Sequence, residues 1–486
     1  MKKIFAIILI LAMLVPFAVA CGGENETTTT TTTENTATDG SFSSKDTVKK
    51  DWEGETLLVA ATAWSGNPSY PWSTMELVVK EGATSDWGEK IDKAVLERTA
   101  YIKATYGVDV IWEWASRYNT HDVLKNAIAA GNEPDYDLAM PRAFRAQQIV
   151  ANGSVYDMAN RPYINFNNSC YNQDSVKTYT AKGHTFFITG DFANTDKNTA
   201  YVIFFNKSLM GREEDVNELY QLVRDGKWTW DKLVAYGNAI YMDDGDGMKS
   251  DGDIFGLVCI SSYNLYECFG IKRVGTDKST GDWIITLNAP KINDVISAII
   301  TVNTSLWASG TAVGNWWEGG THQYLVDGGL LFCADNILFL NSFSNHDDLG
   351  VIPFPMLNEE QGRYYVPCAR QQSTLMCVPK TTSDRNMSDY FVDVLAWTGK
   401  EYVIEAYYDR LSEYLSSEAD MEMIKEYIMP NITYDAAKAA GWDSVLGDTV
   451  EASYKENKFE EAFAKEKNKA LETLKQWNEA WGAYTE

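Results

Sequence analysis

The chain has 486 residues, of which 45% are hydrophobic, and it carries a formal net charge of −26. This length and apolar content are enough for a packed core and for two domains or lobes. A strong negative field repels phosphate backbones, so the composition argues against nucleic acid as a partner.

The first twenty residues have the features of an export signal. A lysine pair at the start is followed by the apolar run Ile4–Val19. This run is too short for an ordinary membrane-spanning helix, and it ends in small residues. The segment Ala18–Cys21 resembles a lipobox, although a lipobox usually has Leu where Ala18 stands. We therefore expect a lipid on Cys21, with a plain secretory signal peptide as the alternative.

Residues 21–50 are predicted to form a disordered tether. They include the threonine run Thr27–Thr33 and many Ser, Asn and Asp residues. Such a stretch has almost nothing to bury and acts as a spacer. Since no later segment reads as a second membrane anchor, the lipid would hold the body, from Asp51 onward, at the outer face of the cytoplasmic membrane.

The body begins with alternating strand and helix signals. The apolar run Leu57–Ala61 predicts a buried parallel strand, and Lys90–Tyr106 predicts a helix with one apolar face. Further strands are predicted over Val108–Trp112 and Tyr136–Met140, with a helix between them that Thr120 caps. This order predicts an α/β sheet with right-handed crossovers, on which ligands bind at the carboxyl ends of the strands.

The rest of the body continues with strands and then becomes helical. Strands are predicted over Thr185–Thr189 and Tyr201–Phe205, and helices over Trp228–Tyr241 and Ala289–Trp307. The last third, Asp384–Trp481, is predicted to be mostly helical. The whole body therefore belongs to the α/β class, with a helical C-terminal region.

Several segments, taken in order, carry a likeness to a known family. They are Tyr136–Ala139, Gly153–Met158, Val202–Lys207, Lys227–Leu233, Phe255–Leu257, Asp327–Leu331, Leu349–Pro355 and Leu375–Lys380. Together they span almost the whole body, which thus resembles the extracellular solute-binding proteins of carbohydrate ABC importers, the maltose-binding-protein-like group. Gly329 stands where the family usually has Lys, and Phe205 where it usually has Tyr.

The resemblance implies a two-lobed periplasmic-binding-protein-like fold (type II) whose lobes are joined by a multi-crossing hinge. Residues 51–190 and about 373–420 would form the first lobe, and residues 191–372 and about 421–486 the second. It further implies a monomer that captures a sugar or oligosaccharide and delivers it to the ABC permease subunits in the membrane. The permease supplies the transport energy, so neither a catalytic group nor a cofactor is expected.

Sugars are held by stacked aromatic rings and by planar polar side chains. Residues of these types that follow strands, or that lie at the crossings implied by the resemblance, are candidate ligand contacts. They are Trp64, Trp72 and Arg142 in the first lobe, Asp191 and Phe192 at the first crossing, Trp316, Trp317, Asp335 and Asn336 in the second lobe, and Arg370 and Gln371 at the second crossing. The adjacent Trp316 and Trp317 cannot both face one core from an irregular segment.

The acidic stretch Met242–Asp253 has the spacing of a calcium loop. With Met242 at position one, Asp244, Asp246 and Asp253 occupy positions three, five and twelve. Met242 departs from the usual Asp, and Asp253 from the usual Glu. A structural calcium ion is therefore one hypothesis, and a solvated acidic turn is the alternative.

Six cysteines lie in the body and do not form a C-x-x-C pair. They are Cys170, Cys259, Cys268, Cys333, Cys368 and Cys377. Their apolar neighbours favour buried free thiols. Export also permits disulfides, so Cys259–Cys268 and Cys368–Cys377 bridges stay open.

Two other functions compete with solute capture for transport. A surface glycan-binding adhesin or sensor component could use the same body without an importer. A secreted glycoside hydrolase would also be acidic and aromatic-rich, and it needs two facing carboxylates. The sequence contains no nucleophile elbow, zinc signature or nucleotide-binding loop, and its four histidines lack metal-ligand spacing. These features favour binding over catalysis.

Overall fold

The computed structural model describes residues 42–63, 88–116, 120–248, 250, 252–259, 265–287, 289–302, 320–343, 346–368, 373–415, 417–440, 445–446 and 459–485. The N-terminal end of this part packs against the first lobe, with Phe42 8% exposed and Ser44 fully buried. The Ser44 hydroxyl donates to Asp393 Oδ2 at 2.7 Å and accepts from Trp397 Nε1 at 2.7 Å. The prediction of a disordered tether that reaches residue 50 is therefore wrong for residues 42–50, because an apolar ring and buried hydrogen bonds hold them.

The described strands are short; seven of them form two larger sheets, and the other eight form two-stranded pairs. They are β1 Thr56–Ala63, β2 Asp109–Ser116, β3 Leu138–Met140, β4 Val155–Tyr156, β5 Thr180–Ala181, β6 His184–Thr185, β7 Tyr201–Asn206, β8 Phe255–Cys259, β9 Val274–Thr276, β10 Trp283–Ile285, β11 Leu330–Asn336, β12 Leu349–Pro353, β13 Val366–Pro367, β14 Val378–Pro379 and β15 Ile432–Thr433. The strand predicted over Thr185–Thr189 is wrong beyond its first residue, because Ile188 makes only an isolated bridge to Met376.

The helices surround these sheets. They are α1 Glu89–Tyr106, α2 Thr120–Ala129, α3 Ala146–Ala151, α4 Gln173–Thr178, α5 Thr195–Asn198, α6 Lys207–Met210, α7 Glu213–Arg224, α8 Trp230–Ile240, α9 Leu265–Cys268, α10 Ala289–Val302, α11 Gly320–Val326, α12 Arg385–Gly399, α13 Glu405–Ser412, α14 Glu418–Glu422 and α15 Phe459–Gly482. Among the described helices, none is long and apolar enough to cross a membrane.

The first lobe is built on a parallel sheet with the strand order β2-β1-β3. Val59 at its centre pairs with Trp112 on one side and Leu138 on the other. Cys377 then lies antiparallel to Ala139 and widens the sheet. Apolar clusters cover both faces, with α12 contributing to one and α2 and α3 to the other. This double burial explains why β1 reads as an unbroken apolar run.

The second lobe is built on a four-stranded sheet with the strand order β12-β7-β11-β8. β7 is antiparallel to both of its neighbours, and β11 is parallel to β8. Every residue of β7 is buried. Beside the sheet, the Trp228 indole donates to Pro353 O at 3.0 Å, and the Trp230 indole donates to Ala298 O at 2.8 Å. These bonds satisfy two buried donors of the Lys227–Leu233 segment.

The chain passes between the lobes several times. It leaves the first lobe after Gly190 and reaches the second sheet at Ala200, which pairs with Cys368. At Thr374, which pairs with Arg142, it is back in the first lobe. The C-terminal region also contacts both lobes, since α13 packs on α1 and residues 423–428 pack on β12. α15 packs on α3 of the first lobe and on β10, so it belongs to neither lobe alone.

All six described cysteines are free thiols. Cys259 is partly buried and the other five are buried. Burial raises the pKa of each thiol above its usual value, because a thiolate is poorly solvated in an apolar interior. The structure therefore contains neither of the two disulfides that the sequence left open.

The buried carboxyl of Asp137 makes stability depend on pH. Burial raises its pKa from 3.8 to about 6, although Leu58 N and the Thr382 hydroxyl donate to it. Between these values the native state holds the proton that the unfolded state releases, so stability falls as pH rises through this range, by about 3 kcal/mol at most.

Asp137→Asn removes this titration. We expect the free energy of unfolding of the variant, measured in urea, to fall less than that of the wild type between pH 4 and pH 7. Asp122→Asn, at an exposed position of α2, should change this pH dependence little. Parallel pH profiles for wild type and Asp137→Asn would contradict the prediction.

Candidate functional site

Polar side chains meet where the strands of the first sheet end. The Thr62 hydroxyl lies 2.5 Å from that of Thr120 and donates to Met140 O at 2.9 Å. Thr62 is near the end of β1, Thr120 begins α2, and Met140 ends β3. The carboxyl ends of parallel strands are the usual ligand-binding edge of an α/β sheet.

Arg142 connects this edge to the second crossing. It follows β3, is 3% exposed, and donates through Nη1 to the Thr374 hydroxyl at 3.1 Å. The backbone of Thr374 in turn donates to the Thr195 hydroxyl at 2.8 Å. The two crossings and the end of β3 are therefore held together by one chain of hydrogen bonds.

The first crossing carries a short buried helix, α5, that reaches the second lobe. It packs against the turn Ile337–Phe343, and Ile337 N donates to Ala200 O at 2.9 Å. Asn336, just before that turn, is the last residue of β11 and is partly buried. Arg142, Thr195, Thr374 and Asn336 thus form what we call the junction.

Three amide oxygens near the junction are buried without a hydrogen-bond partner within the described part of the chain. They belong to Asn194, Asn198 and Asn336. Asn194 precedes α5, and Asn198 is its last residue. A buried acceptor without a partner costs about 1–3 kcal/mol, so a ligand that donates hydrogen bonds would gain there.

The sequence-predicted contacts have different locations. Arg142 and Asn336 both lie at the junction. Asp191 forms an ion pair with Lys197, its Oδ1 lying 2.8 Å from Nζ, and it lines a separate cavity. Burial raises the pKa of Asp191, and Lys197 opposes this rise.

Two predicted contacts have structural roles instead. Phe192 is 1% exposed in the first-lobe core, so its ring is packed against protein rather than presented to a ligand. Asp335 is 1% exposed, and its Oδ2 lies 3.0 Å from His322 Nε2. Its other oxygen accepts from Asn336 N at 2.7 Å. The structure therefore corrects the expectation of direct ligand contact for both residues.

Six further predicted contacts lie outside the residues that the structure describes. They are Trp64, Trp72, Trp316, Trp317, Arg370 and Gln371. Cys21 also lies outside them. Sequence reasoning missed Thr195, Thr374 and Asn198; the only signal for them was their position within the two crossing segments.

The acidic loop gathers three carboxylates, although not the predicted three. Oxygens of Asp243, Asp244 and Asp246 lie within 4.8 Å of one another. The Asp253 carboxylate is buried and accepts from Asp244 N at 3.0 Å. Asp253 therefore supports the loop from inside, while the convergent oxygens come from its start.

The architecture matches solved structures over nearly the whole body. The galacto-N-biose-/lacto-N-biose I-binding protein of a Bifidobacterium longum ABC transporter is 12% identical, with a TM-score of 0.53 over 87% of this chain and 97% of that one. The cyclic α-maltosyl-1,6-maltose-binding protein of Arthrobacter globiformis is 12% identical, with a TM-score of 0.52 over the same shares. The sugar-binding protein MalE of Xanthomonas citri is 10% identical, with a TM-score of 0.53 over 88% and 100%.

The chain has the fold of two-lobed solute-binding proteins. This confirms the predicted α/β, two-lobed fold class. No family model matches the sequence, and no curated protein matches it. At 10–12% identity the likeness extends to the fold, and the ligand has to be inferred from the site itself.

Proposed function

We propose that this protein captures a carbohydrate between its two lobes and delivers it to an ABC permease. The observation that carries the proposal is the set of buried amide oxygens of Asn194, Asn198 and Asn336 where the lobes meet. Sugar hydroxyls donate hydrogen bonds and would satisfy these acceptors on closure. The sugar-binding neighbours share the fold in which such closure occurs.

The junction supports binding rather than hydrolysis. A glycosidase places two carboxyl groups across the scissile bond, about 5–10 Å apart. Two carboxylates adjoin junction residues in the described part of the chain, and both are buried and already bonded: Asp335 to His322 and Asn336, and Asp196 to the Tyr434 hydroxyl. We therefore propose a receptor without catalysis. We also propose that it is a monomer and that a lipid on Cys21 attaches it to the outer face of the cytoplasmic membrane.

A glycan array tests the proposed ligand class. The body from residue 42 onward, fluorescently labelled, is applied to immobilised mono- and oligosaccharides. We expect binding to one structurally related set, with competition by the same glycan in solution. Absence of binding by a folded sample would contradict the proposal, and release of shorter products from bound glycans would favour a hydrolase.

We further propose a calcium ion at the acidic loop. Asp243, Asp244 and Asp246 provide hard oxygen ligands of the kind that calcium prefers. Calcium should therefore raise the midpoint of thermal unfolding, because it would bind the loop in the folded protein and not in the unfolded chain. The double variant Asp244→Asn with Asp246→Asn should lose this response.

The matched control for the calcium experiment changes two exposed acidic residues on α7, Glu213→Gln with Glu214→Gln. It removes the same charge and should keep the calcium response. A wild-type midpoint that is unchanged by calcium, at constant ionic strength, would contradict the calcium site.

A further inference from the structure

A cavity of about 630 Å³ lies beside the first crossing, and none of the four junction residues lines it. Its wall combines residues 169–174 of the first lobe, Asp191 and Lys197 of the crossing, Arg363 of the second lobe, and side chains of the C-terminal helical region. Pockets of this size hold small organic molecules rather than single ions. An occupant would therefore contact both lobes.

The wall of this cavity is rich in cations, although the chain as a whole carries a charge of −26. The basic residues in it are Lys177, Lys197, Arg363, Lys400 and Lys425. Lys197 is compensated by Asp191, with Nζ 2.8 Å from Oδ1. Among the residues that the structure describes, the other four have no carboxylate within 4.0 Å. Lys400 Nζ instead donates to the Ser169 hydroxyl at 2.7 Å.

The carboxylates in the wall already have partners. Asp174 lies 2.9 Å from Lys272 Nζ, which is outside the wall. Asp196 accepts from the Tyr434 hydroxyl at 2.8 Å and lies 3.6 Å from Lys197 Nζ. The wall thus carries five cations against three carboxylates, so the cavity is locally positive and attracts anions.

We propose that this cavity binds a small organic phosphate monoester. The four cations come from four separate segments, so they can approach an anion from several sides. A phosphate monoester, with about two negative charges and three acceptor oxygens, can pair with more of them than a single carboxylate can. Arg363 supplies a planar fork, and the lysines act as mobile point charges. Tyr408, also in the wall, is partly buried with Lys425 Nζ 4.9 Å from its ring centre, and the rest of its ring offers surface to the organic part.

Thermal unfolding of the protein from residue 42 onward with glucose 6-phosphate, inorganic phosphate or glucose, at equal ionic strength set with NaCl, tests this site. We expect glucose 6-phosphate to raise the midpoint of the wild type. The double variant Lys400→Met with Lys425→Met keeps the apolar stems and removes two charges, so its affinity should fall by about tenfold or more. Lys232→Met with Lys469→Met, at exposed helix positions, is the matched control and should bind as the wild type does.

Glucose and its phosphate are also ligands of the class proposed for the junction, so each measurement is repeated on the Asn198→Ala and Asn336→Ala double variant. A separate phosphate site predicts that this variant responds to glucose 6-phosphate as the wild type does. Stabilisation by inorganic phosphate as well would assign the recognition to the phosphate group, and stabilisation by the ester alone would assign it to the whole molecule. The proposal is overturned if neither phosphate exceeds NaCl. An equal shift with glucose in the Asn198/Asn336 variant, or a response of the Lys400/Lys425 variant equal to that of the wild type, would overturn it as well.

Discussion

Asp435→Ala should destabilise the body by about 3–5 kcal/mol, because it leaves a buried guanidinium without its counter-ion. Asp435 is fully buried, and its Oδ2 accepts from Arg273 Nε at 2.8 Å and from Arg273 N at 3.1 Å. Burial raises the pKa of Asp435, but the pull of Arg273 outweighs it and holds this pKa below its usual value. Urea unfolding followed by circular dichroism measures the loss.

The control for this prediction is Asp215→Ala, which breaks an ion pair on the surface. Arg212 and Asp215 pair at 2.7 Å with side chains 73% and 27% exposed. An exposed pair contributes at most about 1 kcal/mol. A loss below 1 kcal/mol for Asp435→Ala, or equal losses for the two variants, would contradict the role of the buried pair.

The double variant Asn198→Ala with Asn336→Ala should lower glycan affinity by about 10–100-fold. Each amide oxygen would lose one hydrogen bond to a sugar hydroxyl, at roughly 0.5–1.5 kcal/mol per bond. The stability of the free protein should change little, because neither oxygen has a partner within the described part of the chain and the Asn336 Nδ2 bond to Asp335 Oδ1 is long, at 3.3 Å. Calorimetry of glycan binding and thermal melting without glycan measure the two effects.

Asn478→Ala serves as the control, because the side-chain amide of Asn478 is already hydrogen-bonded within the protein. Its amide oxygen accepts from Trp283 N at 2.7 Å, and its amide nitrogen donates to Trp283 O at 3.0 Å. This substitution should lower stability and leave glycan affinity unchanged. If the Asn198/Asn336 variant behaved like Asn478→Ala, the two amides would have a structural role.

Much of the fold could be predicted because burial leaves a direct trace in the sequence. β7 is buried on both faces, and its run of apolar residues is the expected signal. The helix predicted over Lys90–Tyr106 is confirmed as Glu89–Tyr106, since apolar residues recur on one face and Gly107 ends it in the left-handed conformation. Hydrophobic periodicity is a local property of the sequence, so it predicts such elements without knowledge of the tertiary structure.

The site could be predicted only in part, because the same residue types serve cores and ligands. Phe192 is an aromatic ring beside a crossing, yet it packs inside the first lobe. Asp335 lies near the end of a buried strand, yet its carboxylate is already hydrogen-bonded to His322 of α11. Conversely, nothing in the sequence distinguishes Asn198 from other polar residues. Its amide oxygen is buried only because α5 packs on the second lobe, and this tertiary contact cannot be predicted from local sequence.

Thermal melting of the body against a panel of mono- and oligosaccharides tests the central claim most directly. A ligand that binds only the folded state stabilises it by about 2.7 kcal/mol at a hundredfold excess over its Kd. We predict that one related set of glycans raises the midpoint of the wild type and raises that of the Asn198/Asn336 variant much less. If no glycan shifts the midpoint of a folded sample, carbohydrate capture between the lobes is contradicted.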